Sequence, residues 1–246
     1  MARLNSFFLP PDQWPSAPGD VVSLQGDEAR HMLTVLRTQA DQTVRLFDGQ
    51  GNSGLFRVLK AGKKQASLET ISLEDAPVSG SNLTLAIGWG KSKRRNYLFE
   101  KIVELQAEGV VFWEGVRSQG RLPSEPKETW REKCIQAAKQ CGNPYLPSVS
   151  VLPDGIIGLI EFSASFDHCY LAWETEAATI PLKPLDLADG RSLVVIGPEG
   201  GMDESEAMQL MDAGFKPVTL GNSTLRWETA AAYCLSLAFF AGQEMK

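Results

Sequence analysis

The sequence contains few of the residues from which metal and hydrolase sites are built. Only two of its 246 residues are histidines, His31 and His168, and they lie far apart in the chain. The four cysteines form no CxxC pair, so a zinc site of the usual Cys/His spacing is not expected. A GxSxG motif, which a nucleophile elbow requires, is also missing. We therefore expect no metal, and thiols that stay free in a reducing cytosol.

Long apolar runs are absent as well. None approaches the roughly 18 residues of a membrane span, and the first residues, MARLNSFFLPPDQW, contain only a short apolar run that ends at two prolines. We therefore expect neither a membrane segment nor a signal peptide, and a cytoplasmic location. The net charge of −6 argues against a nucleic-acid partner, but the acidic excess lies in residues 165–246. A basic face built from residues 1–164 is compatible with RNA binding, because phosphate contacts supply most non-specific affinity.

The hydrophobic pattern predicts two domains. Between about residues 20 and 75, short alternating runs separated by turns such as DGQGN predict a small β-barrel or sandwich. One helix, GDEARHMLTVLR, is inserted there, and its apolar face comprises Ala29, Met32, Leu33 and Leu36. After the linker APVSGS, strands alternate with helices, which predicts an α/β domain with an open parallel sheet. We place the barrel at residues 1–75, the linker at 76–81 and the α/β domain at 82–246.

Three helices of the α/β domain can be described from their sequences. The segment SEPKETWREKCIQAAKQCG has Ser124 as its cap, Pro126 in its first turn and Gly142 at its end. The segment DESEAMQLMDAG begins at Asp203, with Glu206 at the spacing of a capping box. The last helix, WETAAAYCLSLAFF, is apolar nearly all round, so we expect it to be buried within its own domain or at a subunit interface.

Three loops that follow predicted strands lie in the last third of the chain: WETEAAT, GPEGG and LGNSTLRWET. Ligands bind outside the carboxyl ends of the strands of an open parallel sheet, so these loops could converge on one site. GPEGG has neither Walker nor dinucleotide-binding spacing, and Glu199 at its tip would repel a phosphate. The loop favours a phosphate-free ligand with an adenosine and a positive centre, such as S-adenosylmethionine. The alternative is a tight turn in which Glu199 caps a neighbouring helix.

Arg226 and Glu228, at the start of the last helix, are the candidate catalytic residues. Arginine stays protonated, so Arg226 cannot be a general base but can stabilise negative charge that develops on a substrate oxygen. The alternative is that the two residues form a mutual ion pair or cap the helix.

Several segments, in this order, resemble those of a known family. GPEGGMDESE followed by LGNSTLRWETAA resembles the C-terminal signature of the SPOUT-class methyltransferases, and in particular of the 16S rRNA (uracil-N3)-methyltransferase family. HMLTVLR, LFDGQG, KIVEL and AAKQCGNPYLP resemble further segments of that family, so the resemblance covers nearly the whole chain. Three positions depart from the pattern: Ser223 and Asn143 stand in place of arginines, and Gln106 stands where a glycine is common. The two missing arginines concern the target nucleotide more than the reaction class.

The resemblance implies an N-terminal PUA-like β-barrel that binds RNA and a C-terminal α/β domain that ends in a deep trefoil knot. It also implies a homodimer, S-adenosylmethionine as cofactor, and methylation of N3 of a uridine in 16S rRNA of the small ribosomal subunit. The rivals are ribose 2′-O methylation, an inactive RNA-binding or ribosome-assembly module, and an adenosine-ligand sensor. The implied cofactor-binding residues are Trp173, Glu174, Ile196, Gly197, Pro198, Glu199, Gly200, Gly201, Leu220, Gly221, Asn222, Thr224, Leu225 and Thr229.

For this reaction a base must take the proton from uracil N3 while the nitrogen attacks the methyl group. Glu228 is one candidate, and water or a group of a partner chain are the others. The basic segment KSKRR indicates RNA backbone binding, the alternative being a solvated helix start. His31 and Arg37 could contact RNA or pack in the barrel. The predicted RNA-binding residues are Arg30, His31, Arg37, Lys91, Lys93, Arg94 and Arg95.

Overall fold

The computed structural model describes residues 4–62, 64–75, 80–91, 94–175 and 180–244. They divide into two compact units. The first unit contains the described residues up to 75 together with Ile135–Leu146, and the second contains the described residues that remain. Of the predicted linker, residues 76–79 lie outside the described residues.

The first unit is built on one five-stranded sheet that curls into a half-barrel. Its neighbours run in the order β1-β3-β4-β5-β2, with β1 parallel to β3 and the other pairs antiparallel. The hydrophobic core of this unit includes Phe7, Phe56 and Leu68. β1 was not predicted, because its three residues are too few to show a period. The strands are β1 (Ser6–Phe8), β2 (Val21–Gln25), β3 (Thr43–Phe47), β4 (Asn52–Ala61) and β5 (Gln65–Asp75), and a 3₁₀ turn spans Pro11–Gln13.

The helix inserted after β2 changes its winding halfway. Helix α1 (Gly26–Arg30) continues as a π-helical turn over His31–Val35, in which the Leu36 N–H donates to the His31 carbonyl at 3.0 Å. Ala29 and Met32 are buried as predicted, but Leu36 is 38% exposed. The prediction for Leu36 was wrong because a π turn has more residues than an α turn, which rotates the following residues off the apolar face.

The second unit is built on a six-stranded, fully parallel sheet in the order β11-β9-β10-β6-β7-β8. Helices alternate with these strands, which confirms the predicted α/β fold with an open parallel sheet. The strands are β6 (Ser81–Gly88), β7 (Ala107–Trp113), β8 (Ser148–Val151), β9 (His168–Ala172), β10 (Ser192–Ile196) and β11 (Lys216–Val218). The helices are α2 (Arg95–Glu104), α3 (Glu128–Cys141), α4 (Gly155–Ser163), α5 (Glu204–Asp212) and α6 (Trp227–Glu244), and a 3₁₀ turn spans Pro184–Leu187. The part of α3 from Ile135 onward belongs to the first unit.

The end of helix α3 lies where the sequence predicted it, whereas its start does not. Gly142 follows α3 with φ 82°, as predicted. The start of α3 was predicted wrongly: it begins at Glu128, beyond Ser124 and Pro126. A residue before proline is disfavoured in the helical region, so the segment around Pro126 stays outside the helix. Gln106, where a glycine was expected, has φ 53°.

Helix α6 is buried on one face only. Ala231, Cys234 and Leu235 pack inside the unit, whereas Tyr233 and Phe240 are 42% and 52% exposed. Burial of the whole helix within its own domain, one of the two alternatives, is therefore wrong, while burial at a subunit interface stays a prediction. Among the described residues, no helix has both the length and the apolar character needed to cross a membrane.

Candidate functional site

Three loops meet at the carboxyl edge of the parallel sheet. Strands β11, β9 and β10 are neighbours and parallel, so the residues that follow them emerge side by side. These residues line a cavity of about 760 Å³, a size typical of small-molecule sites. The cavity is lined by Lys91, Arg94, Arg117, Ala172, Trp173, Glu174, Ile196, Gly197, Pro198, Glu199, Gly201, Met202, Thr219, Leu220, Gly221, Ser223, Thr224, Leu225, Arg226, Trp227, Glu228 and Ala230.

Most of the residues predicted to bind the cofactor line this cavity. The exceptions among the described residues are Gly200, Asn222 and Thr229, which flank lining residues in the chain. Glu174, beyond the end of β9, accepts from the Leu225 N–H at 3.3 Å, which connects two of the three loops. The structure thus brings the predicted segments together around one space.

The glycines of the loop after β10 allow backbone to approach backbone. Gly201 has φ 83°, and its N–H donates to the Pro198 carbonyl at 2.8 Å, which closes a tight turn. The end of β6 packs directly on this turn, because a Cβ on Gly88 would collide with the backbone nitrogen of Pro198. The turn therefore presents main chain to the cavity.

Glu199 binds a side chain of the last helix. Its Oε1 accepts from the indole N–H of Trp227 at 3.0 Å, and Trp227 is the first residue of α6. The carboxylate therefore joins the loop after β10 to the start of α6, while it also lines the cavity. The alternative, in which Glu199 caps a neighbouring helix, differs from this contact, because the partner is a side chain and not a backbone N–H group.

Arg226 and Glu228 do not pair with each other. Glu228, whose side chain is 8% exposed, forms its ion pair with Arg94. The carbonyl of Arg226 accepts from the N–H groups of Thr229 and Ala230, both at 2.9 Å, so its backbone starts α6. The Arg226 side chain is exposed at the cavity and makes no ion pair with any described residue. Its guanidinium is available to a ligand.

The basic segment before α2 splits into two environments. Lys91 and Arg94 line the cavity, whereas Arg95 lies 3.9 Å above the Trp89 ring and donates to the Gly90 carbonyl. Burial lowers the pKa of Arg95, and the nearby Glu199 opposes that shift. Lys93 lies outside the described residues.

Of the predicted RNA-binding residues in the first unit, His31 is held in a polar cluster. Its Nδ1 lies 3.0 Å from Nζ of Lys139, which also binds Glu28 at 2.7 Å, and its ring meets Phe7 edge-on. Burial and then Lys139 lower the pKa of His31, and Glu28 raises it in part. These contacts favour the packing interpretation of His31. Arg30 and Arg37 are exposed, the latter with φ 53°.

A fourth loop at the same edge, after β7, was missed from the sequence. It brings Arg117 to the cavity.

Asp203 caps α5 as predicted and accepts from the Ser205 N–H at 3.0 Å. Glu206 serves a different purpose from the predicted capping box: its Oε1 accepts from the Val116 N–H at 2.9 Å. Burial raises the pKa of Glu206. The signal in the sequence for the loop after β7 was the apolar run VVFW, which is followed directly by a polar turn.

The described residues contain no group of three or more His, Cys, Asp or Glu side chains that could hold a metal ion. The polar groups that surround the cavity include main-chain groups, carboxylates and arginines, which suit an organic ligand.

Comparison with known families gives two matches. Residues 77–239 match the model of an RNA methyltransferase domain, and residues 24–71 match that of an RNA methyltransferase PUA domain. The second match lies on the half-barrel of the first unit.

Curated relatives carry a consistent name. The chain is 30% identical to the ribosomal RNA small subunit methyltransferase E of Mesomycoplasma hyopneumoniae, over 83% of this chain and 92% of the relative. It is 25% identical to the protein of the same name from Bacillus subtilis, over 87% and 88% of the two chains.

Solved structures agree with these matches. A crystal structure of ribosomal RNA small subunit methyltransferase E from Neisseria gonorrhoeae, bound to S-adenosyl methionine, is 28% identical, with a TM-score of 0.81 over 95% of this chain and 96% of that one. A probable rRNA-methyltransferase from Porphyromonas gingivalis is 29% identical, with a TM-score of 0.83 over 99% and 100%.

Proposed function

The chain belongs to the ribosomal RNA small subunit methyltransferase E family, and from that membership we propose that it methylates N3 of a uridine in 16S rRNA of the small ribosomal subunit. The observation that carries the proposal is the cavity of about 760 Å³, where three loops meet beside Arg226, which makes no ion pair with any described residue. S-adenosylmethionine is the methyl donor in this proposal, and the crystal structure of the relative from Neisseria gonorrhoeae contains bound S-adenosyl methionine.

The cavity suits this cofactor on three counts. The glycine-rich turn after β10 presents main-chain groups to the cavity. Main-chain N–H and carbonyl groups can form hydrogen bonds with adenosine. The apolar side chains of Ile196, Met202 and Leu225 offer surface to the adenine ring. The carboxylates of Glu174 and Glu199 make the part of the lining beside them compatible with a cation and unsuited to a phosphate. When bound, the cofactor supplies an electrophilic methyl group on a sulfonium.

Arg226 acts on the substrate. As uracil N3 loses its proton, negative charge spreads to the ring oxygens, and a guanidinium beside them stabilises that charge. Arg226 is suited to this task because its backbone is fixed at the start of α6 while its side chain is unpaired among the described residues. Orientation of the two reactants within the cavity contributes a further large part of the acceleration.

Glu228 positions Arg94 at the cavity through their ion pair, and it is also a candidate acceptor of the N3 proton. A water molecule and a group of a partner chain are the alternative acceptors of this proton. Substitution of Glu228 by glutamine separates the two assignments, since the amide accepts from Arg94 but cannot act as the base.

The remaining parts of the proposal concern assembly. The half-barrel binds rRNA, the chain after β10 forms the trefoil knot, and the domains follow the boundaries given above. A second copy covers the exposed Tyr233 and Phe240 on α6 and Tyr97 on α2, forming a homodimer. The strand order supports a crossing, because β11 lies beyond β9 rather than beside β10. The protein works in the cytoplasm, where small subunits are assembled.

The test is transfer of labelled methyl groups to small ribosomal subunits from cells without this enzyme, followed by nucleoside analysis. The expected product is N3-methyluridine. A 2′-O-methylated nucleoside would replace the proposed reaction with ribose methylation. A chain with no affinity for S-adenosylmethionine in calorimetry would show an inactive RNA-binding module. Sedimentation analysis at micromolar concentration tests the homodimer.

A further inference from the structure

The loop after β7 is a built arm that carries one arginine to the cavity. It closes on itself, since the Gly115 N–H donates to Oγ of Ser118 and the Ser118 N–H donates to the Gly115 carbonyl, both at 2.9 Å. Such a closed turn fixes the direction of the residues between its ends. Arg117 is one of them.

The arm is docked on the start of α5 by a buried carboxylate. Glu206 is 4% exposed, and its Oε1 accepts from the Val116 N–H at 2.9 Å. A buried carboxylate is costly unless it is hydrogen-bonded, so this contact has a purpose beyond surface solvation. It holds the residue that immediately precedes Arg117.

The arm also touches the turn after β10. A Cβ added at Gly200 would lie 2.8 Å from the Arg117 carbonyl oxygen and 3.1 Å from its Cβ. Gly200 does not line the cavity. The close approach of the arm therefore explains why the residue at position 200 has no side chain. The side chain of Arg117 then reaches Asp203, with Nη2 3.4 Å from Oδ2. At this length the ion pair engages few of the five guanidinium N–H donors, so others can reach a ligand.

Lys91 lies in the same part of the cavity lining. Its side-chain carbons approach Gly120, two residues beyond the Ser118 end of the arm, because a Cβ at Gly120 would lie 3.1 Å from Lys91 Cε. Both Lys91 and Arg117 are exposed and line the cavity. S-adenosylmethionine has a single carboxylate, whereas an RNA strand that enters the cavity brings one phosphate per nucleotide. Two neighbouring cations match the strand better than the cofactor.

We propose that Arg117 is a substrate-binding residue that contacts an RNA phosphate beside the target nucleotide, and that Glu206 is its positioning residue. The proposal rests on the proposed function, since it assumes that RNA enters this cavity. Arg117 recognises the backbone, whereas Arg226 acts on the base.

The primary test measures RNA affinity as a function of salt concentration for Arg117→Gln. Loss of one phosphate contact should reduce the slope of log Kd against log salt by about 0.7, and should weaken binding about tenfold at low salt. Affinity for S-adenosylmethionine, measured by calorimetry, should stay within about twofold. An unchanged slope, or a loss confined to the cofactor, would overturn the proposal.

Arg191→Gln is the matched control. Arg191 and Arg117 are 46% and 50% exposed, and each pairs with one carboxylate. Arg191 precedes β10 and therefore lies at the opposite edge of the sheet. The control removes the same charge and should leave the slope unchanged; an equal loss would show a non-specific effect of net charge and overturn the assignment.

The positioning role of Glu206 is tested by a double-mutant cycle. Glu206→Leu should weaken RNA binding although it removes a negative charge, and it should add nothing to Arg117→Gln. Glu206→Gln should restore the affinity, because its amide oxygen can accept from the Val116 N–H. Additive losses would assign Glu206 to another role. Gly200→Ala displaces the arm without touching the buried carboxylate and should reproduce the loss if Glu206→Leu does not fold.

Failure of this inference can be told apart from failure of the proposed function. The wild-type protein reports on the latter through methyl transfer and nucleoside analysis, which test the reaction whichever residue contacts the RNA phosphate. A wild-type enzyme that forms N3-methyluridine while Arg117→Gln binds RNA normally refutes only the role of Arg117.

Discussion

Two regions beside the cavity use cations in opposite ways. The cation rim consists of residues that are exposed and line the cavity, namely Lys91, Arg94, Arg117 and Arg226. The aromatic cluster consists of Trp89, Phe99, Phe112 and Trp130, with the guanidinium of Arg95 above the Trp89 ring. In the rim the charge faces solvent and the cavity, whereas in the cluster it faces an aromatic ring and a carbonyl.

The contrast is sharpest between two consecutive residues. Arg94 pairs with Glu228 at the cavity, while Arg95 begins α2 and turns toward the aromatic rings. Successive residues of a helix point about 100° apart, so neighbours in one basic run need not share a surface. A run of positive charge therefore indicates binding only for those members that the backbone directs outward.

The largest expected effect is on catalysis. Arg226→Ala should lower kcat about 100-fold, the usual effect of removing one donor to a developing negative charge. Affinity for S-adenosylmethionine should stay nearly the same, because the cavity loops remain intact. Single-turnover methyl transfer together with calorimetry measures both quantities. Arg226→Lys, which retains the charge but not the planar fork, should fall between wild type and alanine. An unchanged kcat for alanine would remove Arg226 from the mechanism.

The next effect should be on folding. Arg95→Ala removes the stacking on Trp89 and the hydrogen bond to Gly90, so the free energy of unfolding should fall by about 2 kcal/mol. Chemical denaturation measures this value, and the salt slope of RNA binding should be unaltered. Lys91→Ala is the control from the rim, with little change in stability. The comparison fails if Arg95→Ala proves as stable as wild type and instead loses RNA affinity.

Glu199 offers a test of a smaller effect, at the junction of the two regions. It lines the cavity, and it also accepts from Trp227. If the hydrogen bond is what matters, Glu199→Gln should retain cofactor affinity, while Glu199→Leu should lose about tenfold. Calorimetric titration with S-adenosylmethionine distinguishes them. A glutamine variant as weak as leucine would show that the negative charge itself meets the sulfonium.

The sequence was sufficient for those features that depend on local pattern. Alternation of apolar strands and helices predicted the parallel sheet, and the positions of GPEGG and LGNSTLRWET after strands predicted their convergence. Those inferences hold because parallel strands place their carboxyl ends at one edge regardless of the details of packing.

Features that depend on distant partners could not be predicted. Glu228 pairs with Arg94 and Glu206 binds Val116, which lie 134 and 90 residues away in the chain. No local period encodes such contacts, and the nearer partner offered by the sequence, Arg226 for Glu228, was the wrong one. The π turn after α1 was missed for a related reason, since its winding gives no apolar period of its own.

The smallest effect concerns a single exposed charge of the rim. Lys91→Gln should weaken RNA binding only about threefold at physiological salt and reduce the salt slope by about 0.7, because one phosphate contact is lost while the strand keeps its others. Lys216, an exposed residue at the start of β11, gives a control substitution at the opposite edge of the sheet. Titrations of a labelled 16S rRNA fragment at several salt concentrations measure the slope. Equal slopes for Lys91→Gln and wild type would restrict the RNA-binding part of the rim to its arginines.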